Sequence, residues 1–328
     1  MYDVVAIGES LIDFTPSGQN KSGVDLFGCN PGGAPVNLLA MYAKSGGKTA
    51  FIGKVGDDNF GHFLGETMDR AGIDITDLIF TKEAPTTLAF VHLDNDGERS
   101  FSFYRKHSAD IMLRTEDLPI ALLGNCHVFH FGSVSMSDEP SRSATITAVM
   151  KAKDMGAIIS YDPNYRPPLW KCETEAMEIM RNACPLADLI KVSYEEMKLI
   201  TGNISSSAGA QKLLAYGASL VVVTGGERGC FYATPTCNGF VPSYRVSVVD
   251  TTGSGDAFMG SLLFKLKALS KAEIANLKQE VLEEYIRYAN AAGGLTATVR
   301  GAIPALPTKE DIICCMNEKP VHDVKLII

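Results

Sequence analysis

Short apolar runs rich in β-branched residues alternate along this chain with segments whose apolar positions recur every three to four residues. The runs at 4–8, 49–54, 128–131, 157–161, 189–192 and 220–224 read as strands. Several are almost continuously apolar, the pattern of strands covered on both faces. Helical spacing fills the intervals at 35–44, 60–71, 140–153, 174–183 and 208–215. This β–α alternation predicts a doubly wound α/β fold, a mostly parallel sheet flanked by helices. Ligands of such sheets bind beyond the carboxyl ends of the strands, so the residues that follow each strand carry the functional reading.

Two regions break the alternation. Residues 14–33 are polar and glycine-rich, and 86–105 alternate along both faces to a tip at Asn95-Asp96-Gly97. An Asp-Gly tip predicts a hairpin. Together these regions predict a small β-stranded lid, inserted from about 14–33 and 86–107, over the site; taken alone, the same signal fits a plain surface hairpin. Residues 1–318 are read as one domain around this lid, and 319–328 as a C-terminal tail.

At 328 residues, the chain is long enough for two domains or for one large α/β structure with an appendage. It is 46% hydrophobic with a net charge of −8, as expected of a well-filled core. No block of Lys and Arg stands out, which argues against nucleic acid and anionic membrane surfaces as partners. No apolar stretch approaches the ~18 residues of a membrane span. The eight cysteines form no Cys-x-x-Cys pair, and Cys314 and Cys315 are adjacent. With a strand reading from the second residue and no secretory leader, they read as free thiols of a cytoplasmic protein. The six histidines have no metal-ligand spacing, so no structural metal is expected.

The strongest chemical signal is Asp250-Thr251-Thr252-Gly253-Ser254-Gly255-Asp256. It lies between a strand-like run at 246–249 and a helical pattern over 257–269. A helix that starts with Gly-x-Gly offers free backbone N–H groups and a positive dipole end, a ready anion site. Asp256 falls in the first turn, near enough to take a proton from whatever attacks a bound phosphate. A tight turn with a dipole-matched Asp is the plainer alternative.

Further candidates follow other strands. Asp13 lies past the first strand, where a carboxylate can accept from two neighbouring sugar hydroxyls. Gly32-Gly33-Ala34-Pro35-Val36-Asn37 joins the lid to a helix; glycine lets the backbone approach a ligand, and Asn37 can hold a hydroxyl. Arg105 at the end of the lid and Arg166 after a strand can clamp polyols, carboxylates or phosphate. Ser193-Tyr194-Glu195-Glu196 places Glu196 to organise Mg²⁺ through water. Thr224-Gly225-Gly226-Glu227-Arg228-Gly229 can hold phosphate through its amides or simply turn a hairpin.

Two decoys are set aside. Lys44-Ser45-Gly46-Gly47-Lys48-Thr49 imitates a P-loop, but position 42 is Tyr and the order is helix then strand; Gly46-Gly47 reads as a helix stop. Gly8 is followed by Glu9-Ser10, so the dinucleotide fingerprint is missing and a nicotinamide dehydrogenase is disfavoured.

The motifs together resemble the ribokinase-like carbohydrate kinases, the phosphofructokinase-B family, from about residue 3 to 312. The two most specific elements are the Gly32–Asn37 and Asp250–Phe258 motifs in that order. Within the family the chain resembles the fructokinase branch through Gly8-Glu9-Ser10-Leu11-Ile12-Asp13-Phe14, Phe51-Ile52-Gly53-Lys54-Val55-Gly56-Asp57-Asp58, Phe103-Tyr104-Arg105 with Ser108-Ala109-Asp110, and Gly301-Ala302-Ile303-Pro304. The resemblance implies ATP- and Mg²⁺-dependent phosphorylation of fructose. Asp256 would be the base, with the amides of Gly253, Ser254 and Gly255 as the anion hole. Asp13, Gly32, Gly33, Asn37, Tyr104, Arg105, Asn164 and Arg166 would hold the sugar. Lys191, Ser193, Thr224, Gly226, Gly229 and Asn290 would line the ATP site. Glu196 would act on Mg²⁺ through water, Asp250 and Thr252 on K⁺, and the lids would pair two copies into a homodimer. Ser254 departs from the commoner Ala, and Ser193 from the commoner Asn. A kinase of 2-keto-3-deoxygluconate is the nearest rival, and a non-catalytic sugar sensor the rival of another class. A nucleoside kinase is less favoured, because 14–33 offers no aromatic pair to stack a base.

Overall fold

The computed structural model describes residues 1–93 and 99–323. Its main sheet runs in the order Asn238–Pro242, Gly229–Ala233, Leu220–Thr224, Leu189–Ser193, Ile158–Asp162, Cys126–Gly132, Tyr2–Ile7, Thr49–Gly56 and Ile73–Asp74, with Leu78–Thr81 also paired to Thr49–Gly56. The pairings from Leu220–Thr224 through to Thr49–Gly56 are parallel, and the two strands at the far edge are antiparallel. All residues of Thr49–Gly56 and Ile158–Asp162 are buried, which is why these strands read as unbroken apolar runs rather than as alternation.

Successive side chains of a strand face opposite ways, and two cores result. Val4, Ala6 and Phe51 join a layer with the helices Ala34–Lys44, Ser254–Leu266 and Gln279–Thr296. Val5, Ile7 and Ile52 join the opposite layer with Ser141–Asp154, Glu173–Ala183 and Ser206–Leu214. Each fully buried Leu or Ile contributes about 1.5–3 kcal/mol. In the first layer the helices Ala34–Lys44 and Ser254–Leu266 meet backbone to backbone. A Cβ on Gly260 would lie 2.5 Å from the Leu38 carbonyl oxygen, so glycine there sets the close approach on which the site depends.

A second sheet of four strands runs Asp25–Gly32, Leu11–Gln19, Leu88–Leu93, Arg99–Tyr104. It is the small β-sheet expected from 14–33 and 86–107, though its first strand begins at Leu11. The tip at 95–97 lies outside the described residues. Phe90 gathers aromatic neighbours on this sheet: Phe14 stacked at 4.9 Å, and Phe27 and Tyr104 edge-on at 5.8 and 5.5 Å.

Two features differ from the sequence reading. Val246, Val248 and Val249 are β-branched, but residues 246–249 form no strand, and Val248 and Val249 are about half exposed. Part of the tail is tied back, with Val321 bridging to Tyr244. Gly46-Gly47 does end a helix: Gly46 has φ 97° and its N–H bonds the Ala43 carbonyl at 2.8 Å. All eight cysteines are free. Among the described residues, no helix is long and apolar enough to cross a membrane.

Candidate active site

A cavity of about 880 Å³ lies across the carboxyl ends of the parallel strands, between the small sheet and the start of helix Ser254–Leu266. At its middle the chain makes a tight turn, the Ser254 N–H donating to the Thr251 carbonyl at 3.2 Å. Gly253 stands third in that turn with φ 77° and ψ −5°, a left-handed conformation that favours glycine. A Cβ on Gly253 would lie 2.8 Å from that of Ala302, and one on Gly255 2.9 Å from Lys191 Nζ. Both glycines line the cavity, at a helix N-terminus whose amides lack partners within the helix. Of the three amides read as an anion hole, that of Ser254 is engaged within the turn. The Ser254 hydroxyl is buried without a partner.

Asp256 is the third residue of this helix and lines the same cavity. Its Oδ2 accepts from Asn37 Nδ2 at 2.9 Å, a contact made possible by the close helix pair. Burial pushes its carboxyl up to about 6; Asn37, Lys191 and Arg166 pull against this, while Asp162 adds to it. Lys191 Nζ donates to Asp162 Oδ2 at 2.7 Å. Burial works against the lysine's charge, but Asp162, Glu196 and Asp256 outweigh it and raise its pKa, so a fixed cation stands beside the glycine turn.

At one end the cavity is lined by Glu9, Leu11, Asp13, Gly33, Asn37, Phe103, Asn164 and Arg166. Burial pushes Asp13 up to about 7, against Arg166 and with Asp250 and Asp256. A Cβ on Gly32 would lie 2.3 Å from Asp13 Oδ2, so Gly32 leaves room for that carboxylate without lining the cavity itself. Gly33, with φ 117°, comes so close to Glu9 that a Cβ would lie 2.4 Å from its carbonyl oxygen. Asn164 has φ 49°, and its N–H donates to Asp162 Oδ1 at 3.2 Å. Arg166 Nη1 donates to the Tyr165 carbonyl at 3.1 Å.

Besides Gly32, two expected sugar contacts are not on the cavity wall. Arg105 is buried, its Nε donating to Asp110 Oδ2 at 2.7 Å, Nη1 to Ser137 Oγ at 2.6 Å and Nη2 to the Val134 carbonyl at 3.1 Å. Its guanidinium is thus engaged behind the wall, because Asp110, five residues on, captures it first. Tyr104 is 67% exposed, its ring set against Phe90. Conversely, the cavity includes Glu9, which the sequence reading passed over. Its Oε1 accepts from the Ala34 N–H at 3.0 Å, and burial pushes it up to about 7, with its own amide, Arg105 and the Ala34 N–H opposing. Its signal was available: it follows the first strand, as Asp13 does.

The other end is lined by Thr224, Gly226, Gly229, Ser243, Val246, Val248, Asn290 and Gly294, among others. Gly229, with φ 112°, packs against the edge strand, where a Cβ would lie 2.2 Å from the Val241 carbonyl oxygen. Asn290 Nδ2 donates to the Val241 and Pro242 carbonyls, both at 3.2 Å. Ser193 and Glu196 form a capping box: the Ser193 hydroxyl accepts from the Glu196 N–H at 3.1 Å, and Glu196 Oε2 from the Ser193 N–H at 2.7 Å. Glu196 Oε1 accepts from the Tyr165 N–H at 2.6 Å. Asp250 is not on the wall; its carboxylate accepts from the Thr252 and Gly301 N–H groups at 2.8 and 3.1 Å, whereas Thr252 does line the cavity. Among the described residues no three His, Cys, Asp or Glu side chains cluster to hold a metal.

An anion cradle, a fixed cation and an oriented carboxylate in one cleft suit transfer of a phosphoryl group to a hydroxyl. The model of the pfkB family carbohydrate kinases matches residues 1–309. The chain belongs to this family. As a pfkB kinase it is similar over nearly its full length to proteins with more specific names. Probable fructokinase-2 of Arabidopsis thaliana is 44% identical over 311 residues, 93% of each chain. The crystal structure of a fructokinase with bound ATP from Xylella fastidiosa superposes with a TM-score of 0.89 at 33% identity, covering 97% of this chain and 99% of that one. A fructokinase from Vibrio cholerae O395, in a form bound to fructose, ADP and calcium ion, gives 0.86 at 35% identity, covering 96% and 99%.

Proposed function

We propose that this pfkB kinase is a fructokinase, moving the γ-phosphoryl group of ATP onto the primary hydroxyl of fructose to give fructose 6-phosphate. The observation that carries this reading is Asp256, placed by its helix beside the glycine turn and oriented by Asn37. Fructose as the acceptor is supported by the fructokinases to which the chain is similar and by the fructose-bound Vibrio structure. A neutral sugar is further favoured over a sugar acid because, of the two candidate arginines, Arg166 alone lines the cavity.

On this reading Asp13 and Asn37 hold sugar hydroxyls, and hydrogen bonds to Asp13 favour its ionised form. Asp256 takes the proton of the primary hydroxyl as it attacks in line. The amides at the start of helix Ser254–Leu266, its dipole and Lys191 stabilise the charge on the transferred group. Thr224, Gly226, Gly229 and Asn290 border the nucleotide, and Ser193 acts as the cap that shapes this wall. The small sheet bears on the cavity through Phe103 and Leu11 and keeps out water, which would otherwise compete as acceptor.

Mg²⁺ brought in by ATP keeps several waters and needs few protein carboxylates. Glu196, one of three glutamates on that stretch of wall with Glu195 and Glu227, is already fixed by two amides and fits an outer-shell role; the ion would supply charge neutralisation on the phosphates. Asp250 and Thr252, joined in the loop before the glycine turn, are the proposed neighbours of K⁺. Exposed Leu26, Phe27 and Tyr104 on the small sheet, with Val24 in the turn beside them, support pairing of two copies through it. Eight free thiols fit a reducing, cytoplasmic setting; disulfides found by mass spectrometry in the native protein would contradict it.

The deciding experiment is an ADP-release assay with Mg·ATP on fructose, 2-keto-3-deoxygluconate, ribose and adenosine. A dominant kcat/KM for fructose is expected. Preference for the keto-acid would overturn the substrate and make Arg166 a carboxylate clamp; ADP release that no sugar stimulates would point to a sensor. Replacing K⁺ by a larger organic cation should slow the same reaction, and light scattering at micromolar concentration should give a dimer mass. An unchanged rate and a monomer would remove those two assignments.

A further inference from the structure

Residues 243–249 form one wall of the cavity end assigned to nucleotide, with Ser243, Val246 and Val248 facing it, yet they belong to no strand of the sheet. The segment is fastened at its far end by the Val249 and Asp250 N–H groups, which share the Ala297 carbonyl at 2.8 and 3.1 Å. At its near end the Ser243 N–H donates to the Arg228 carbonyl at 3.3 Å. Between them Val246 rests on Gly294, its methyl carbons 3.9 Å from where a Cβ would stand. The remaining support comes from the tail. The Arg245 N–H donates to the Pro320 carbonyl at 2.8 Å, and the His322 N–H to the Ser243 carbonyl at 2.9 Å, around the Tyr244–Val321 bridge. Tyr244 is buried beneath this bridge.

We propose that Pro320–His322 is a positioning brace for the nucleotide site, a short antiparallel bridge that holds the Ser243–Val248 wall in its binding position. The inference rests on the reading of this end as the nucleotide end. It concerns residues beyond the 1–309 matched by the family model. A wall outside the sheet depends on local contacts, the buried Tyr244 ring and these backbone bonds among them, so losing one bond loosens it. Loosening the wall lowers the fraction of molecules ready to bind, and the apparent affinity falls by that fraction.

The test is calorimetric titration of the full chain with Mg·ADP. His322→Pro removes the donor to Ser243 while keeping the residue before it extended, as the bridge requires; His322→Ala keeps the N–H. His322→Pro is expected to weaken Mg·ADP by roughly threefold to tenfold, with His322→Ala near wild type and the KM for fructose unchanged in both. Val248→Asp, a charge set in the wall itself, reports whether nucleotide binds there. If it weakens Mg·ADP and His322→Pro does not, the brace is refuted; if it has no effect, the reading of this end fails and the brace with it. A measurement on the unaltered protein covers a variant that does not fold. Because linkage is reciprocal, Mg·ADP should slow hydrogen exchange at the Arg245 and His322 amides, and unchanged exchange would overturn the proposal.

Discussion

At the end of the cavity assigned to sugar, the polar groups are side chains carried by separate segments: Asp13 from the small sheet, Asn37 from the helix after it, Arg166 from the loop after a strand. At the end assigned to nucleotide, glycine and valine take much of the wall beside Thr224, Glu227 and Ser243, and Asn290 holds two backbone carbonyls in place. Asp256 and the glycine turn stand between. The contrast follows from what each ligand offers. Sugar hydroxyls are many, directional and each able to donate, so charged side chains read them well. A nucleotide offers a flat apolar ring and phosphate oxygens, which small apolar residues and amides receive without a dedicated side chain. The sugar end should therefore be fragile to single substitutions, and the nucleotide end tolerant of them.

The largest effect is expected at the junction. Asp256→Asn should lower kcat by roughly 10²–10⁴-fold while leaving the KM for fructose within a few-fold; an almost unchanged kcat in the ADP-release assay would remove Asp256 as the base. The wild-type rate should fall about tenfold per pH unit below about 6, where the carboxyl is protonated, and the residual rate of the variant should lack that limb. Stability should move the other way. A carboxyl whose pKa is raised in the folded state favours folding while protonated, and that advantage is lost as pH rises from its unfolded value through about 6. Near neutral pH the buried charge is a cost that Asn does not carry, so Asp256→Asn should melt at a higher temperature at pH 7.5; a lower Tm would show that the charge is compensated.

Within the sugar end, Asp13→Asn keeps the shape and one acceptor but loses the charge that strengthens bonds from hydroxyls. A hydrogen bond to a charged group is worth about 1.5–3 kcal/mol, so kcat/KM for fructose should fall by roughly 10²-fold. Calorimetry with Mg·ADP should show no change. A matching loss of nucleotide affinity would mean that the two ends are one coupled site.

The same contrast explains what could be read from the chain. The buried parallel strands and the glycine turn were legible because each is a local pattern: an unbroken apolar run, or Gly-x-Gly ahead of a helix. The lid at 14–33 was legible as a region but not strand by strand: Leu11–Gln19 and Asp25–Gly32 show little periodicity, because a sheet with one exposed face tolerates Pro16, Gly18 and Gly28. The opposite error came at 246–249, where β-branched residues suggested a strand but line a cavity instead. The position of Arg105 behind the wall could not be read from the chain, because Ser137 and Val134 are brought to it only by the fold. Glu9 was overlooked although it occupies the same kind of position as Asp13.

The smallest effect tests the tolerance of the nucleotide end. Asn290 is buried in helix Gln279–Thr296, and its side-chain amide reaches the Val241 and Pro242 carbonyls at the edge of the sheet. Asn290→Ala removes both bonds and leaves two carbonyls facing a small gap. A buried group left without its partner costs about 1–3 kcal/mol, but both bonds are long and the gap opens on a wet cavity, so water replaces part of the loss. The KM for ATP should rise by about threefold to tenfold, well short of the effect of Asp13→Asn on fructose, and the KM for fructose should hold. If Asn290→Ala instead lowered ATP use by as much as Asp13→Asn lowers fructose use, the nucleotide end too would be read by a side chain, and the contrast between the two ends would fail.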